Sequence, residues 1–321
     1  MHVLDAHRIR QLVSMPLLID ALRKAFVGGF VAPVRQIAAI PGGVGDRLLL
    51  SMPAFSQDGY GVVKLATVIP DNGQRGLPTI QAALVVFSPT GAPVAVLDGA
   101  MVTRLRTGAA SALAASYLAR ADSARLLVIG TGALAPYMAL GHCSARPIGL
   151  VSVSGRVAAR AQATAAEIRT LIDESVEVTV VTDLAQAVAA ADIISCATSS
   201  AQPVLAGKWL RAGTFLDLVG SFSPSRREVD DEAVLRSRLF VDTLAGALSE
   251  AGDLLDPMRR GIIERGRIAG ELADLVTGRV SGRNSQEEII LFKSVGTAIE
   301  DLATAQLILA LEAAGGAAPP Y

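Results

Sequence analysis

A glycine turn is the first feature of this sequence that could do chemistry. Residues 124–135 read ARLLVIGTGALA, and the apolar run 126–129 reads as a short buried strand. Gly130, Thr131 and Gly132 form the turn, Ala133 follows, Ala135 lies three places beyond Gly132, and residues 133–143 suit a helix. Strand, turn and helix in that order are the context in which a G-x-G-x-x-A run binds a dinucleotide. The first glycine permits the tight turn, the second lets the backbone approach a pyrophosphate, and the alanine keeps helix and strand close. The helix N-terminus then offers unpaired N–H groups and a positive dipole end to the phosphates. An acid after the next strand would bond a ribose 2′-hydroxyl. This chain has Ser154-Gly155-Arg156 there instead. A neutral Ser and an Arg suit the 2′-phosphate of NADP, with a solvated loop Arg as the alternative. Ligands of such sheets bind beyond the carboxyl ends of the strands. Thr198 and Ser199, and Val219, Gly220 and Ser221, are therefore expected to line the cofactor.

A second set of residues could hold an acid and move a proton. Lys64 interrupts the apolar run GVVKLATV at 61–68. Strand alternation could place it on a wet face. Buried, it would need a partner, and its lowered pKa would suit it to donating or accepting a proton. Arg104 and Arg106 stand near the N-terminal end of a helix expected over 101–118. The helix dipole disfavours cations there, so each calls for a nearby anion or an open surface. Arg106 and Arg35 together with Lys64 could form a small anion pocket, since Arg grips a carboxylate bidentately. His2 and His7 fall in a start expected to be mobile, and His142 reads as a surface or capping residue. No serine triad and no metal cluster emerges.

These side chains need two kinds of scaffold. Before the glycine turn the pattern predicts a helix over 15–30 and strands over 48–52, 61–68, 79–87 and 93–97, a mostly antiparallel sheet in a separate α+β domain. After it, strands over 149–153, 176–181, 193–197, 214–219 and 239–242 alternate with helices over 157–171 and 184–190, the rhythm of a doubly wound parallel sheet. A strand at 289–292 either closes that sheet or hands the chain back, and a helix over 294–314 is expected to pack on the first domain, with a frayed tail at 315–321. The predicted fold is therefore α/β: a Rossmann-type domain over 119–293 and a smaller α+β domain from 1–118 with 294–321. The 321 residues fit two such domains, and 51% apolar against 18% charged content suits large buried cores. A net charge of −1 and 4% aromatic residues speak against nucleic acid or an anionic membrane as partner. Cys143 and Cys196 stand alone in apolar contexts and read as buried thiols rather than a disulfide or zinc pattern. With no signal-peptide pattern and no spanning run, the chain is expected to be cytoplasmic.

The ordered motifs resemble the ornithine cyclodeaminase/mu-crystallin family over residues 33–311. The resemblance rests on SMPAF at 51–55, VVKLATVIPDN at 62–72, RGLPT at 75–79 and LRTGAASALAASYLA at 105–119. It continues through VIGTGALA at 128–135, ADIISCATSSAQPVL at 191–205, EAGDL at 250–254 and LFKSVGTAIEDLATA at 291–305. The family combines a Rossmann domain with a substrate and dimerisation domain, which implies a homodimer. It places the substrate-carboxylate Arg at Arg35, with Arg47 as the competing match, and the catalytic-site Lys at Lys64. The cofactor-contacting Thr falls at Thr79, and the Arg between substrate and cofactor at Arg106. The Asn-Arg-Thr of NADP-using members meets Gly155, Arg156 and Val157, so only the Arg remains. Phe292-Lys293-Ser294 match the F-K-S at the nicotinamide side.

One departure separates this chain from the ornithine cyclodeaminases: where they carry an Asp after the fifth strand, it has Phe222. A Phe there favours an apolar ring over an amine. The run DLVGSFSPSRREVDDE is similar to the branch that reduces cyclic imino acids. That implies NADPH-dependent reduction of Δ1-pyrroline-2-carboxylate to L-proline and of Δ1-piperideine-2-carboxylate to L-pipecolate, with NADH as the other cofactor. Arg35, Lys64, Arg106, Phe222 and Ser294 would then meet the substrate. Two alternatives stand beside it: a cyclodeaminase or amino-acid dehydrogenase of the same family, and a binding protein that holds NADPH and a small acid without turnover.

Overall fold

The structure is a computed structural model that describes residues 1–42 and 47–315. The expectation for the tail beyond Gly315 lies outside the described residues. The chain separates into two compact units, Met1–Arg106 with Thr297–Tyr321, and Thr107–Gly296.

The first unit opens with β1 (His2–Leu4), α1 (Ala6–Leu12) and α2 (Met15–Val27). The start is thus structured rather than mobile. Its first strand pairs in parallel with β7, and the Asp5 carboxylate caps α1 by accepting from the Arg8 N–H at 2.8 Å. The helix expected over 15–30 stops at Val27, because Gly29 turns the chain with φ +70° and Phe30 enters a strand. The strands are β2 (Phe30–Val31), β3 (Gln36–Ala39), β4 (Leu48–Ser56), β5 (Gly61–Val68), β6 (Ile80–Phe87) and β7 (Pro93–Asp98). They form a seven-stranded sheet in the order β1-β7-β6-β5-β4-β2, with β3 also on β4. One face is buried through Leu50, Met52, Ala54, Val62, Leu84 and Val86. The opposite face leaves Leu49, Phe55 and Leu65 exposed. The chain leaves this unit along α3 (Gly99–Leu118), inside which the division into units falls.

The second unit alternates as the sequence pattern predicts. In order come β8 (Arg125–Ile129), α4 (Ala135–Ala145), β9 (Leu150–Ser154), α5 (Ala158–Arg169), β10 (Glu177–Val180), α6 (Leu184–Ala190), β11 (Ile193–Cys196) and β12 (Phe215–Leu218). Then follow α7 (Asp231–Arg236), β13 (Ser237–Val241), α8 (Leu244–Glu250), α9 (Gly252–Arg259), β14 (Ile268–Glu271), α10 (Leu272–Val276) and β15 (Ile289–Lys293). The four short helices and β14 have too few periodic residues to stand out in the sequence. All eight strands are parallel, in the order β10-β9-β8-β11-β12-β15-β13-β14. The direction of winding reverses between β8 and β11, the place where such sheets take a nucleotide. Of the two fates expected for the strand near 289, the chain is handed back after it as expected, but β15 does not close the sheet: it enters the interior, between β12 and β13.

The chain then returns to the first unit as α11 (Ala298–Ala313), which packs on α2, β4 and β5. Among the described residues no helix is long and apolar enough to cross a membrane.

Candidate functional site

In the first unit, strand register decides the fate of Lys64. It pairs with Met52 on β4 and Leu84 on β6, both buried, so it belongs to the inner face and is 2% exposed. A lysine there is held only by a carboxylate. Asp301, in the first turn of α11, supplies it: Lys64 Nζ donates to Asp301 Oδ1 at 2.8 Å. Arg106 is likewise buried, and its Nη1 donates to Glu300 Oε2 at 2.6 Å while its Nε stands 3.4 Å from Asp301 Oδ1. Thr297 caps this helix, and two acids in its first turn suit the positive end of the dipole. Burial pushes the Lys64 ammonium down to about 8, Asp301 pulls it back up, and Arg106 and Arg35 add to the lowering. Arg35 is half-buried and is thus electrostatically part of the group. Arg47 donates to the Gly42 carbonyl at 2.8 Å. Thr79 is exposed at the entry to β6, where its carbonyl accepts from the Ile69 N–H at 2.8 Å.

Glu300 and Asp301 are the functional candidates that sequence reasoning missed. The motif AIEDLATA contains them, and two adjacent acids at the start of a largely apolar helix were the available signal.

In the second unit, the turn after β8 has the geometry its glycines suggest. Gly130 has φ +129°, and a Cβ there would lie 2.5 Å from the Ala197 carbonyl oxygen. At Gly132 nothing lies within 4 Å of the Cβ position, so the backbone is open to a ligand. Beside this turn lies a cavity of about 320 Å³, lined by Thr131, Gly132 and Ala133 and by Arg160, Thr164 and Glu167 of α5. Ser154 is buried at the end of β9, Gly155 abuts the Thr131 methyl, and Arg156 is exposed beyond it. An open glycine backbone at a helix N-terminus, a cavity beside it and no acid after β9 together fit a nicotinamide dinucleotide.

The turns after β11 and β12 are tied together from beneath. Glu228 Oε1 accepts from the Thr198 N–H at 2.8 Å and its hydroxyl at 3.0 Å, and Oε2 accepts from the Gly220 N–H at 2.8 Å and the Ser221 N–H at 3.3 Å. A Cβ at Gly220 would lie 2.1 Å from the Thr198 carbonyl oxygen, so only glycine allows this approach. Val219 is buried just before it. Lys293 is fully buried, 3.0 Å from Asp253 Oδ2 and 3.7 Å from Glu228 Oε2, so its link to the nucleotide turns runs through Glu228. Burial pushes Glu228 up to about 7, with Lys293 pulling against that and Asp253 adding to it. Burial also works against the Lys293 ammonium, but Asp253 and Glu228 outweigh it and hold that pKa above its usual value.

The remaining expected site residues are anchored in the same unit. The Ser294 hydroxyl donates to Asp242 Oδ2 at 3.0 Å, an oxygen that also takes the Val295 and Gly296 N–H groups. Phe222 is half-buried and packs on the unit's apolar core.

His142 is neither a surface nor a capping residue. It is fully buried, with Nε2 2.9 Å from Asp217 Oδ2, and Asp217 also accepts from Ser111 and Ser195 at 2.8 and 2.9 Å. A carboxylate within the strand run TFLDLV needs such partners. Cys143 is half-buried rather than buried, and burial pushes its thiol up to about 12; Cys196 is buried. Among the described residues no group of three or more His, Cys, Asp or Glu could hold a metal ion.

Comparison with known proteins agrees with this anatomy. Over 313 residues the chain is 36% identical to Delta(1)-pyrroline-2-carboxylate reductase of Colwellia psychrerythraea, covering 96% of this chain and 98% of the relative. The structure of Thermococcus litoralis Delta(1)-pyrroline-2-carboxylate reductase in complex with NADH and L-proline superposes with a TM-score of 0.93 at 35% identity, covering 100% of both chains. An archaeal alanine dehydrogenase dimer with bound NAD superposes with a TM-score of 0.89 at 28% identity, covering 100% of this chain and 99% of that one. A sequence model of one family matches residues 1–314. With the motifs, the two-unit fold and these relatives in accord, the chain belongs to the ornithine cyclodeaminase/mu-crystallin family.

Proposed function

We propose that this chain is an NAD(P)H-dependent oxidoreductase that reduces the C=N bond of a cyclic imino acid. Δ1-Pyrroline-2-carboxylate would give L-proline and Δ1-piperideine-2-carboxylate L-pipecolate. The observation that carries the reading is the buried pairing of Lys64 with Asp301 and of Arg106 with Glu300 in the first unit. Arg106 and Arg35 hold the substrate carboxylate, which fixes the imine carbon for reaction. The imine nitrogen must gain a proton for its carbon to become electrophilic, and Lys64 Nζ, with its pKa near 8, is the donor. When bound, the reduced dinucleotide supplies the hydride that adds to that carbon, so that C=N becomes CH–NH. Lys64 recovers its proton from solvent after turnover.

The nucleotide is held by the second unit. Gly130, Thr131, Gly132 and Ala133 receive the pyrophosphate, and the turns at Thr198 and at Val219, Gly220 and Ser221 line the rest. Ser294 and Lys293 complete the set proposed for this unit, Lys293 through Glu228, and Thr79 and Arg106 are the cofactor contacts proposed on the first unit. NADPH is the preferred form in this reading, because Ser154, Gly155 and Arg156 offer a cation and no acid to the ribose. Phe222 supports a ring substrate over ornithine, since an apolar side chain there gives an amine no partner. We further assign the protein to the cytoplasm and to a homodimer, the latter supported by the exposed apolar face of the first unit's sheet.

The test is oxidation of NADPH and of NADH in parallel, each with Δ1-pyrroline-2-carboxylate. Faster oxidation of NADPH is the expected result. Oxidation of NADH alone would keep the reaction and overturn the cofactor preference. Tight NADPH binding with no oxidation by either ring would favour the binding-protein reading. Ammonia released from ornithine with NAD would favour the cyclodeaminase.

A further inference from the structure

Lys64 does not meet its environment alone. Its strand neighbours Met52 and Leu84 are apolar, and so are the residues flanking it on the inner face. The charged groups that face it are Asp301 on α11, Arg106 on α3 and Arg35 ahead of β3. Glu300, next to Asp301, is engaged by Arg106 Nη1. Of these groups only Asp301 hydrogen-bonds the Lys64 ammonium, and Asp301 itself is fully buried.

This arrangement places opposite demands on the lysine. Two guanidinium groups and a dry surrounding favour the neutral amine, while one carboxylate at 2.8 Å favours the ammonium. We propose that Asp301 is the positioning residue of the reaction: through its single hydrogen bond it aims the Lys64 Nζ and keeps it protonated at the pH where imine is reduced. This inference rests on the reading of Lys64 as proton donor. Asp301 suits the task for two structural reasons. It sits in the first turn of a capped helix, where the backbone is fixed and the dipole stabilises its charge. It also shares its Oδ1 with Arg106 Nε at 3.4 Å, so the lysine and the proposed carboxylate-binding arginine are referenced to one oxygen.

The experiment is the pH profile of kcat/KM for imine reduction, measured on the wild type, Asp301→Asn and Asp301→Glu. The wild type should lose activity on an alkaline limb near the Lys64 value of about 8. Asp301→Asn keeps the shape and removes the charge, so the limb should move to lower pH by about 1 unit or more. Activity at a pH below both limbs should fall far less than activity at neutral pH. Asp301→Glu restores a carboxylate and should return the limb most of the way. A limb that stays in place in a folded Asp301→Asn overturns the inference, even if turnover falls, because a purely structural role would lower kcat without moving it. Should Asp301→Asn not fold, Asp301→Ser takes its place: it is smaller and also uncharged, so a limb moved to lower pH supports the inference and an unmoved limb overturns it. Failure of the underlying reading looks different. If Lys64→Ala retains the wild-type profile, the lysine is not the donor. If Lys64→Ala abolishes the limb while Asp301→Asn preserves it, only the role of Asp301 falls.

Discussion

Two buried lysines illustrate how neighbours decide what a residue can do. Lys293 lies within reach of two carboxylates, and its ammonium is held above its usual pKa, a permanent charge. Lys64 shares one carboxylate with an arginine, and burial wins far enough to bring it to about 8. Only the second can give up a proton near neutral pH. Because the donor form is the ammonium, reduction should be full below pH about 8 and decline above it, while oxidation of the product amino acid should rise over the same range. Lys64→Ala is expected to lower the turnover of imine reduction by about 10²-fold or more, the usual worth of a positioned acid. Dinucleotide affinity, measured by titration of the reduced cofactor's fluorescence, should be nearly unchanged. Unchanged turnover would remove Lys64 from the mechanism.

At the scale of elements, the nucleotide turns are supported from below by one buried side chain. Glu228 collects N–H groups from the turns after β11 and β12, so the two move as one piece. Glu228→Gln must place an amide NH₂ against at least one of those donors. We predict weaker dinucleotide binding by about tenfold, which is the size of one such buried hydrogen bond. Calorimetric titration with NADPH checks this, and an unaltered Kd would show that the turns hold without Glu228. What the sequence made legible follows from the range of the interactions. The glycine turn, the alternating strands and helices, and Lys64 as an anomaly in an apolar run all depend on neighbours within one element. The partners were hidden because they lie far apart along the chain. Lys64 and Asp301 are separated by 237 positions, and His142 and Asp217 by 75. No local period links such residues; each shows only as a polar residue in a segment too apolar for it. The insertion of β15 between β12 and β13 is hidden for the same reason, since sheet order is a matter of which strand edges remain to be paired.

At the scale of the molecule, the sheet of the first unit has one face sealed and one open. Leu49, Phe55 and Leu65 lie on the open face at 37%, 48% and 43% exposure. Large apolar side chains sharing one sheet face are what an interface between subunits buries. A homodimer formed there should dissociate when a charge is placed at its centre. Leu65→Lys is expected to turn the dimer into a folded monomer in sedimentation or light scattering. A dimer that persists would move the interface elsewhere.

The return of the chain has a consequence for how the protein is made. The second unit's sheet lacks an interior strand until β15 arrives, and the first unit's buried face lacks its cover until α11 does. Both are supplied by the stretch from Ile289 to Ala313, which leaves the ribosome after every other element described. Domains commonly fold one after another as they are synthesised. Here neither can finish early. The nascent chain must carry two open apolar surfaces until residues 289–313 have emerged, and a chain cut before β15 has its second sheet incomplete and its first sheet uncovered.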